Sequence, residues 1–254
     1  MTVIEALLLG ILQGITEFLP ISSSGHLVLG QRLLGVDTPG LLFEVVVHLG
    51  SLLSIIVVFR AYLLELLFSW RTAATRQLVM TVVIATIPAV LVGVFLNGVV
   101  NSAFDSIKIT GGALVFTGAT LIATVLIKRG QHPVTVKRGT LIGIAQALAI
   151  TPGISRSGIT ISAALFLGID ATTAARFSFL LAMPAIAGAG LLTAVDLAGS
   201  HQTLVIDSGL LVGFLSSFVV GIAALKLLLN TLSSGKFHWF GIYCLGLGIL
   251  TLFS

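Results

Sequence analysis

Long apolar runs recur along this chain of 254 residues, and short polar or charged segments separate them. Six of the runs are continuous and close to the 20 residues that an α-helix needs to cross the hydrocarbon core of a bilayer. They lie at 41–59, 77–97, 108–127, 174–197, 207–230 and 238–254. The pattern therefore predicts six transmembrane α-helices.

Two further apolar regions, about 2–34 and 140–169, are each interrupted midway by polar residues, glycine and proline. The interruptions read LPISSSGH in the first region and TPGISRSG in the second. Paired broken segments of this kind are typical of membrane proteins built from an internal repeat with discontinuous helices. We therefore predict two re-entrant helical hairpins, one over each region.

A sequence repeat supports this prediction. Identical residues recur at one offset of 133 positions (143 − 10 and 158 − 25) and cluster around both interruptions. The pairs are Gly10 with Gly143, Gln13 with Gln146, Ser22 with Ser155, Ser24 with Ser157, and Gly25 with Gly158. We predict one integral membrane domain over 1–254, with a first repeat over 1–127 and a second over 140–254.

The basic residues orient these segments in the membrane. With six crossings and two hairpins, the loops 60–76, 128–139 and 231–237 share one face and hold eight lysines and arginines. Only Arg32 and Lys108 fall on the opposite face. The positive-inside rule makes the crowded face cytoplasmic. The first hairpin then enters from outside and the second from the cytoplasm, so the repeats have inverted topology and their polar loops meet near the midplane.

Composition agrees with an all-α polytopic membrane protein. Hydrophobic residues make up 57% of the chain and charged residues 9%, too few charges to cover the surface of a soluble domain. The net charge of +4 arises from short loops between the predicted spans, so we expect no nucleic-acid partner.

The second polar loop, 151–160, has the composition of an anion-binding site. Proline and glycine end one half-helix there, and the next half-helix begins with unpaired backbone N–H groups that carry partial positive charge. Ser155, Ser157 and Thr160 add hydroxyl donors. Arg156 adds a planar set of donors that matches phosphate, and an arginine at mid-membrane depth marks a functional site by default.

The first polar loop supplies a similar helix start and a carboxylate. Glu17 lies one turn after Gln13, near the C-terminal end of its half-helix, where the helix dipole disfavours negative charge. It is a candidate general base, metal ligand or ion-pair partner of Arg156. The other candidates are Ser22, Ser23, Ser24 and His26. Together the two loops favour phosphate or diphosphate as ligand, although serines in membrane helices also often bond only to neighbouring backbone.

Glu44 and His48 lie one turn apart near the start of the first continuous span. Glu44 is expected either to line the outer mouth of the cavity or to lie at the membrane interface. His48 is expected to be a hydrogen-bonded packing residue, because that is the commoner role of a single histidine in a span.

The chain resembles the undecaprenyl-diphosphate phosphatase family of the BacA/UppP type. The resemblance rests on QGITEFLPISSSGH, FEVVVHLGS, PGISRSGIT and FSFLLAMP, and it covers essentially the whole chain. The (E/Q)xxxE motif of the family corresponds to Gln13 and Glu17, so Glu17 is the one acid of this motif. The PGxSRSxxT motif corresponds to 152–160 without departure.

This resemblance implies an enzyme of the bacterial cytoplasmic membrane that hydrolyses a C55 polyprenyl diphosphate to the monophosphate and inorganic phosphate. The resemblance also implies that this reaction recycles the lipid carrier of cell-wall synthesis at the outer face, with help from a divalent cation, Mg²⁺ or Ca²⁺. The family links the enzyme to bacitracin resistance. The implied functional residues are Glu17, Ser23, His26, Ser155, Arg156 and Thr160.

We expect Ser23 to be the nucleophile, with Glu17 or His26 handling its proton and Glu17 also serving as metal ligand. Activated water without a covalent intermediate is the alternative. Ser22, Ser24, Ser155, Ser157 and Thr160 are expected to bind phosphate together with Arg156.

A polyprenyl-phosphate flippase is the competing hypothesis, because inverted repeats with discontinuous helices are common in transporters. Phosphate release by purified protein in detergent distinguishes the two, since only an enzyme hydrolyses the lipid where no second compartment exists. The expected partners are the polyprenyl diphosphate and the membrane lipids. A homodimer is the alternative to a monomeric protein.

Overall fold

The computed structural model describes residues 1–36, 41–95, 98, 103, 106–127, 130–199 and 207–253. Over these ranges the chain is α-helical and contains no strand. The helices are α1 (Val3–Phe18), α2 (Ser23–Leu34), α3 (Leu41–Val58), α4 (Arg60–Phe68), α5 (Ala73–Phe95), α6 (Ile107–Ala123), α7 (Val136–Leu148), α8 (Arg156–Phe166), α9 (Ala171–Gly199), α10 (Ser208–Ser233) and α11 (Trp239–Phe253), with a 3₁₀ turn at Thr124–Leu126.

Several of these helices can cross a membrane by length and composition. Within the described ranges four qualify alone: Ala73–Phe95, Ile107–Leu126, Ala171–Leu192 and Ser208–Ser233. The pair α3 and α4 makes a fifth span if it is counted as one helix bent by 70°. The prediction of an all-α multi-pass membrane protein is therefore confirmed.

Each of the six apolar runs predicted from the sequence falls on a helix, but α11 is short. Its 15 residues reach about 22 Å, less than the thickness of a bilayer core. The connection 60–76, expected to be a loop, contains α4, because its first half reads RAYLLELLF and is apolar enough to continue as helix. Lys128 and Arg129, two of the predicted cytoplasmic basic residues, lie outside the described residues.

The two interrupted regions form two pairs of short helices, α1 with α2 and α7 with α8. The four helices have 16, 12, 13 and 11 residues, each too short to cross a bilayer alone. The breaks lie at 19–22 and 149–155, on the polar interruptions. Each pair therefore carries its polar loop between two half-helices.

Local chemistry explains where these breaks fall. Helix α1 ends at Phe18, just before Leu19-Pro20, because proline has no N–H to donate and disfavours helical geometry in the residue before it. Helix α2 begins where the Ser22 Oγ accepts a hydrogen bond from the backbone N–H of Gly25 at 3.3 Å. Ser155 caps α8 in the same way, through the N–H of Gly158 at 3.1 Å.

Long helices pack around the two pairs. Helix α1 packs against α10, α7 packs against α5, and α3 contacts both α9 and α10. Helices α6 and α11 cross closely at glycines, since a Cβ added to Gly118 would lie 2.7 Å from the carbonyl oxygen of Gly241, and the reverse substitution would be equally close. Small residues at such crossings let membrane helices approach one another. This frame holds the broken helices in the interior.

Candidate active site

The two polar loops are in direct contact. The backbone N–H of Gly153 donates to the Ser22 Oγ at 3.1 Å, which joins the second loop to the first. Thr117 of α6 holds the second loop from behind, donating to the carbonyl of Gly153 at 3.0 Å and accepting from the N–H of Ser155 at 3.1 Å. Gly153 has a φ of +96° and packs on the backbone of α6, so a side chain would not fit there.

The carboxylate of Glu17 is the centre of the hydrogen-bond network between the loops. Its Oε2 accepts a hydrogen bond from the Ser23 Oγ at 2.6 Å and another from the Gln13 Nε2 at 3.1 Å. Its Oε1 accepts from the Nη2 of Arg156, forming an ion pair between the two hairpins. The Nε2 of His48 lies 3.7 Å from Oε2. Glu17 therefore contacts side chains from α1, α2, α3 and α8.

This arrangement has the geometry of an activated nucleophile. Glu17 is buried, and a buried carboxylate without a partner is costly, so the bonds from Arg156, Ser23 and Gln13 offset its removal from water. The 2.6 Å bond from Ser23 lies within the distance over which a general base takes a proton from a hydroxyl. The guanidinium of Arg156 has five N–H donors, and its bond to Glu17 uses one of them.

A cavity of about 400 Å³ adjoins this cluster. Glu17, Ser23, Ser24, Ser155 and Arg156 line its polar part, joined by Glu44, His48 and Gln146. Apart from Thr16, the rest of the lining is apolar or small. It comes from α3, α5 and α9 (Val45, Ala89, Ala185, Ile186, Ala189 and Gly190) and from the break between α7 and α8 (Ala149, Ile150 and Ile154). A cavity with this division suits a molecule that has an anionic head and an apolar tail.

Four of the predicted site residues lie behind the cavity and are not part of its lining. Ser22 links the loops, and the Ser157 Oγ lies 3.3 Å from the Ser155 Oγ. Thr160 donates to the carbonyl of Arg156 at 2.7 Å and lies 2.6 Å from the Ser178 Oγ. These contacts position the two polar loops, and direct contact of these side chains with phosphate stays a prediction.

His26 is the fourth of these residues. Its Nδ1 lies 2.8 Å from the carbonyl oxygen of Ser22, and its Nε2 lies 2.8 Å from the hydroxyl of Tyr243. The ring also stacks on Tyr243 with 5.7 Å between centroids. His26 therefore ties α2 to α11, and of the two candidates for handling the proton of Ser23, Glu17 is the one in hydrogen-bond contact with it.

Two residues of the cavity lining were not predicted as functional from the sequence. His48 makes the hydrogen bond expected of it, since its Nδ1 lies 2.7 Å from the carbonyl oxygen of Glu44, and its Nε2 also faces Glu17 at the cavity wall. Its position one turn after Glu44, which lines the same cavity, was the signal available in the sequence. Gln146 was identified only as the repeat partner of Gln13, and it lines the cavity too.

The residues present suit a divalent cation only if substrate phosphates supply some of its ligands. Within the described part of the chain, no group of three or more His, Cys, Asp or Glu side chains is placed to hold a metal ion. Glu17 already accepts hydrogen bonds from Arg156, Ser23 and Gln13. Mg²⁺ is commonly held by one or two carboxylates together with substrate phosphates, and this donor set suits that mode of binding.

The fold and the cavity define the class: a multi-pass helical membrane protein in which two broken helix pairs bring a carboxylate, serines and an arginine together beside an apolar pocket. Residues 6–250 match the family model described as Bacitracin resistance protein BacA. The chain belongs to this family.

Curated relatives match over nearly their full length. The chain is 44% identical to the undecaprenyl-diphosphatase of Desulfosudis oleivorans, with 98% of this chain and 97% of the relative covered. It is 40% identical to the undecaprenyl-diphosphatase of Korarchaeum cryptofilum, with 99% of each covered. It is 37% identical to undecaprenyl-diphosphatase 3 of Bacillus anthracis, with 98% and 97% covered.

Proposed function

We propose that this protein is an undecaprenyl-diphosphatase, which hydrolyses the lipid diphosphate to undecaprenyl monophosphate and inorganic phosphate. The observation that carries the proposal is the contact of Glu17 with both Ser23 and Arg156 at the polar end of a cavity whose remaining lining is apolar. The names of its relatives support the same reaction. Recycling of the cell-wall lipid carrier and bacitracin resistance follow from membership of the family.

In the proposed mechanism Ser23 attacks and Glu17 accepts its proton. The Ser23 Oγ bonds to the terminal phosphorus, and the bond from that phosphorus to the bridging oxygen breaks, which releases the monophosphate lipid. Water then hydrolyses the phosphoserine, giving inorganic phosphate and restoring the hydroxyl. Arg156 and the N-terminus of α8 stabilise the charge that develops on the transferred group. Direct attack by activated water is the alternative.

A divalent cation, Mg²⁺ or Ca²⁺, belongs to the proposal. Glu17 and the oxygens of the diphosphate would hold it, and it would neutralise part of the phosphate charge. The roles of Ser24 and Ser155 are to donate hydrogen bonds to the phosphate groups from the cavity wall.

The apolar part of the cavity lining is suited to the hydrocarbon chain of a polyprenyl substrate. Ala89 of α5 and Ala185, Ala189 and Gly190 of α9 have small side chains, so a space remains between these helices beside the polar cluster. We propose that the first isoprene units of the substrate lie there and that the rest of the chain lies among the membrane lipids.

The six-span arrangement with two inverted repeats is part of the same proposal. Helices α1, α2 and α6 start at Val3, Ser23 and Ile107, and adding the repeat offset of 133 to these positions gives the starts of α7, α8 and α11 to within one residue. The packing is paired in the same way, because α1 contacts α10 while α7 contacts α5. In this arrangement α1–α2 and α7–α8 are re-entrant, and α3, α5, α6, α9 and α10 cross the bilayer. The shorter α11 crosses it as well, at a place where the bilayer is locally thinned.

We further propose that the cavity opens to the outer face of the cytoplasmic membrane. Glu44 and His48 lie in the first half of α3, and Ala89 lies in the second half of α5, so both stretches are remote from the basic connection 60–76 that joins these helices. The positive-inside rule assigns that connection to the cytoplasm.

The start of α9 gives the same orientation. The guanidinium of Arg176 lies 4.8 Å from the centroid of the Tyr62 ring in α4, so this end of α9 is next to the basic connection. The cavity residues of α9 come two to four turns later, at 185–190. Toward the basic connection the interior is closed by packed aromatic rings. The centroid of the Phe179 ring lies 5.8 Å from that of Phe18 and 5.7 Å from that of Phe59.

Hydrolysis by the purified protein tests the proposed function. Protein in detergent micelles, given undecaprenyl diphosphate and Mg²⁺, is expected to release one inorganic phosphate per monophosphate lipid formed. A flippase without phosphatase activity would release none. The flippase hypothesis is not favoured, since the relatives are named for hydrolysis of the diphosphate. Micelles offer no second compartment, so release there requires an enzyme.

A further inference from the structure

Gln146 is a buried amide without an internal partner. It lies in the last turn of α7, is 3% exposed and lines the cavity beside Ser155 and Arg156. Neither its Nε2 nor its Oε1 has a hydrogen-bond partner within the described part of the protein. Native proteins pair nearly all such groups, because an unpaired buried amide loses its bonds to water without compensation. Because this unpaired amide belongs to a residue of the cavity lining, a molecule bound in the cavity can supply its partner.

The repeat partner of Gln146 shows what is missing. Gln13 occupies the equivalent position of the first hairpin, and its Nε2 donates to Glu17, four residues later, at 3.1 Å. Four residues after Gln146 the second hairpin has Ile150, which has no side-chain acceptor. The second copy therefore keeps the amide donor and lacks the carboxylate that uses it. The Oε1 of Gln13 is also unpartnered, so the difference between the copies lies in the donor.

The neighbours of Gln146 in the cavity define the ligand that this donor would bind. Arg156 and Ser155 are donors themselves, and Glu17 already accepts hydrogen bonds from three side chains. The missing group must therefore be rich in acceptor oxygens. A second cation beside Arg156 would compete with it for the Glu17 carboxylate. The neutral amide of Gln146 can donate to a ligand oxygen without that competition.

We propose that Gln146 is a substrate-binding residue whose side-chain amide donates a hydrogen bond to an oxygen of the diphosphate. Together with Ser155 and Arg156 it forms the part of the phosphate site contributed by the second hairpin. This inference rests on the proposed function, because it assigns the diphosphate to the cavity. It assigns to the second repeat a further contact with the substrate besides those of Ser155 and Arg156.

The test replaces the amide and keeps its size. Gln146→Met removes both polar atoms at nearly constant length, and Gln146→Glu keeps the shape while placing a carboxylate where the donor was. Ser162→Ala is the matched control, because the Ser162 Oγ is also buried without a partner but lies outside the cavity lining. The KM for undecaprenyl diphosphate and the rise in Tm on titration with pyrophosphate are measured for all three variants and the wild type.

Gln146→Met is expected to raise KM about 10- to 100-fold, the effect of losing one hydrogen bond to a charged group, and to require a similarly higher pyrophosphate concentration for the same rise in Tm. Its Tm without ligand should equal or exceed that of the wild type, since an unpaired buried amide has been removed. Gln146→Glu should weaken binding at least as much at pH 8, where its charge repels the diphosphate. Ser162→Ala should leave KM and the pyrophosphate response unchanged.

An unchanged KM and pyrophosphate response in both Gln146 variants would overturn the inference, and so would an equal loss of affinity in Ser162→Ala. If Gln146→Met does not fold, Gln146→Glu decides the question by the same two measurements. Absence of phosphate release from the wild type would instead contradict the proposed function, so the two failures are distinguishable.

Discussion

At the scale of single residues, Ser23 and Ser24 are neighbours with different surroundings. Both line the cavity, but the Ser23 hydroxyl donates to Glu17 at 2.6 Å, whereas the Ser24 hydroxyl lies 3.3 Å from that of Ser22. Of the two, Ser23 is the one next to a base that can take its proton. This pair allows the proposed nucleophile to be tested against a control on the same helix turn.

Ser23→Ala is expected to lower kcat for phosphate release at least about 1,000-fold, because it removes the group that forms the covalent bond. Ser24→Ala removes one donor from the cavity wall and should lower kcat/KM by no more than about tenfold. Phosphate release from undecaprenyl diphosphate in detergent measures both. Equal effects of the two substitutions, or near-normal turnover by Ser23→Ala, would remove Ser23 from the role of nucleophile.

Glu17 and Arg156 could be predicted as site residues because a carboxylate and an arginine are costly at membrane depth and usually serve a function there. The resemblance to the family singled out Ser23, and the structure places all three at one cavity. The sequence was not sufficient for His48 or Gln146. Their importance depends on how α3 and α7 are placed around the cavity, and periodicity along one helix carries no information on which neighbour that helix will face.

At the scale of secondary-structure elements, the break in the first hairpin depends on one serine. Ser22 adopts a left-handed backbone conformation with φ of +71°, and its hydroxyl accepts from the N–H groups of both Gly25 and Gly153. It therefore caps α2 and fastens the second loop to the first.

Ser22→Ala is expected to lower the free energy of unfolding by about 1–3 kcal/mol, since two buried N–H groups lose their acceptor. Ser22→Gly loses the same acceptor but accommodates the positive φ, so it should be less destabilising than Ser22→Ala. Denaturant titration in detergent measures both values. A Ser22→Ala protein as stable as the wild type would show that the hydroxyl does not hold the loops together.

Asp170 begins α9 on the side of the basic connection. Its Oδ1 accepts hydrogen bonds from the N–H groups of Thr172 and Thr173, each at 3.0 Å. Partial burial raises the pKa of Asp170, but these hydrogen bonds to the carboxylate outweigh it, and the pKa lies below its ordinary value. A carboxylate with a lowered pKa stabilises the folded state above its unfolded pKa of about 3.9 and loses that contribution as the pH falls through the folded pKa.

Asp170→Ala is therefore expected to cost about 1 kcal/mol of stability at pH 7, the usual effect of losing an N-cap. The difference from the wild type should shrink once the pH falls below about 4, because the carboxyl of the unfolded chain is protonated there, and it should be lost as the pH falls through the lower pKa of the folded state. The free energy of unfolding of both proteins, measured between pH 7 and below pH 4, tests whether their difference shrinks as predicted. A difference that grows toward low pH would contradict the assignment of Asp170 as an ionised cap.

The helix breaks were predictable because Pro20 and the capping serines act locally. The bend of 70° between α3 and α4 was not predicted, since the sequence indicated a loop over 60–76. The apolar composition of Arg60–Phe68 is compatible with a membrane-crossing helix, with a short helix inside a loop, or with a helix that lies on the membrane surface. The direction in which such a segment leaves its neighbour is set by packing and not by its own composition.

At the scale of the whole molecule, the proposed orientation is testable by thiol labelling. Cys244 is buried, so a cysteine introduced at the surface provides the accessible thiol. Val36→Cys, just after α2, should react with a membrane-impermeant reagent in intact cells, whereas Thr72→Cys, in the basic connection, should react only after the membrane is permeabilised. The reverse pattern would contradict an outward-facing cavity.

Span counting and charge predicted the helical membrane fold, and the repeat offset predicted that two polar loops are equivalent. Neither gives the close crossing of α6 and α11 at Gly118 and Gly241, because glycines are frequent throughout this chain and only their mutual contact distinguishes these two. Long-range packing of this kind is what positions α6 behind the second loop, and with it Thr117.

We propose that one diphosphate site is divided between the two hairpins. A structure of the protein with a non-hydrolysable polyprenyl diphosphate analogue and Mg²⁺ tests it most directly. We predict that the terminal phosphate contacts Ser23 of α2 and Arg156 of α8 at the same time, with the prenyl chain toward Ala89 and Ala189. An analogue whose phosphates contact only one of the two loops, 22–26 or 152–160, would contradict it.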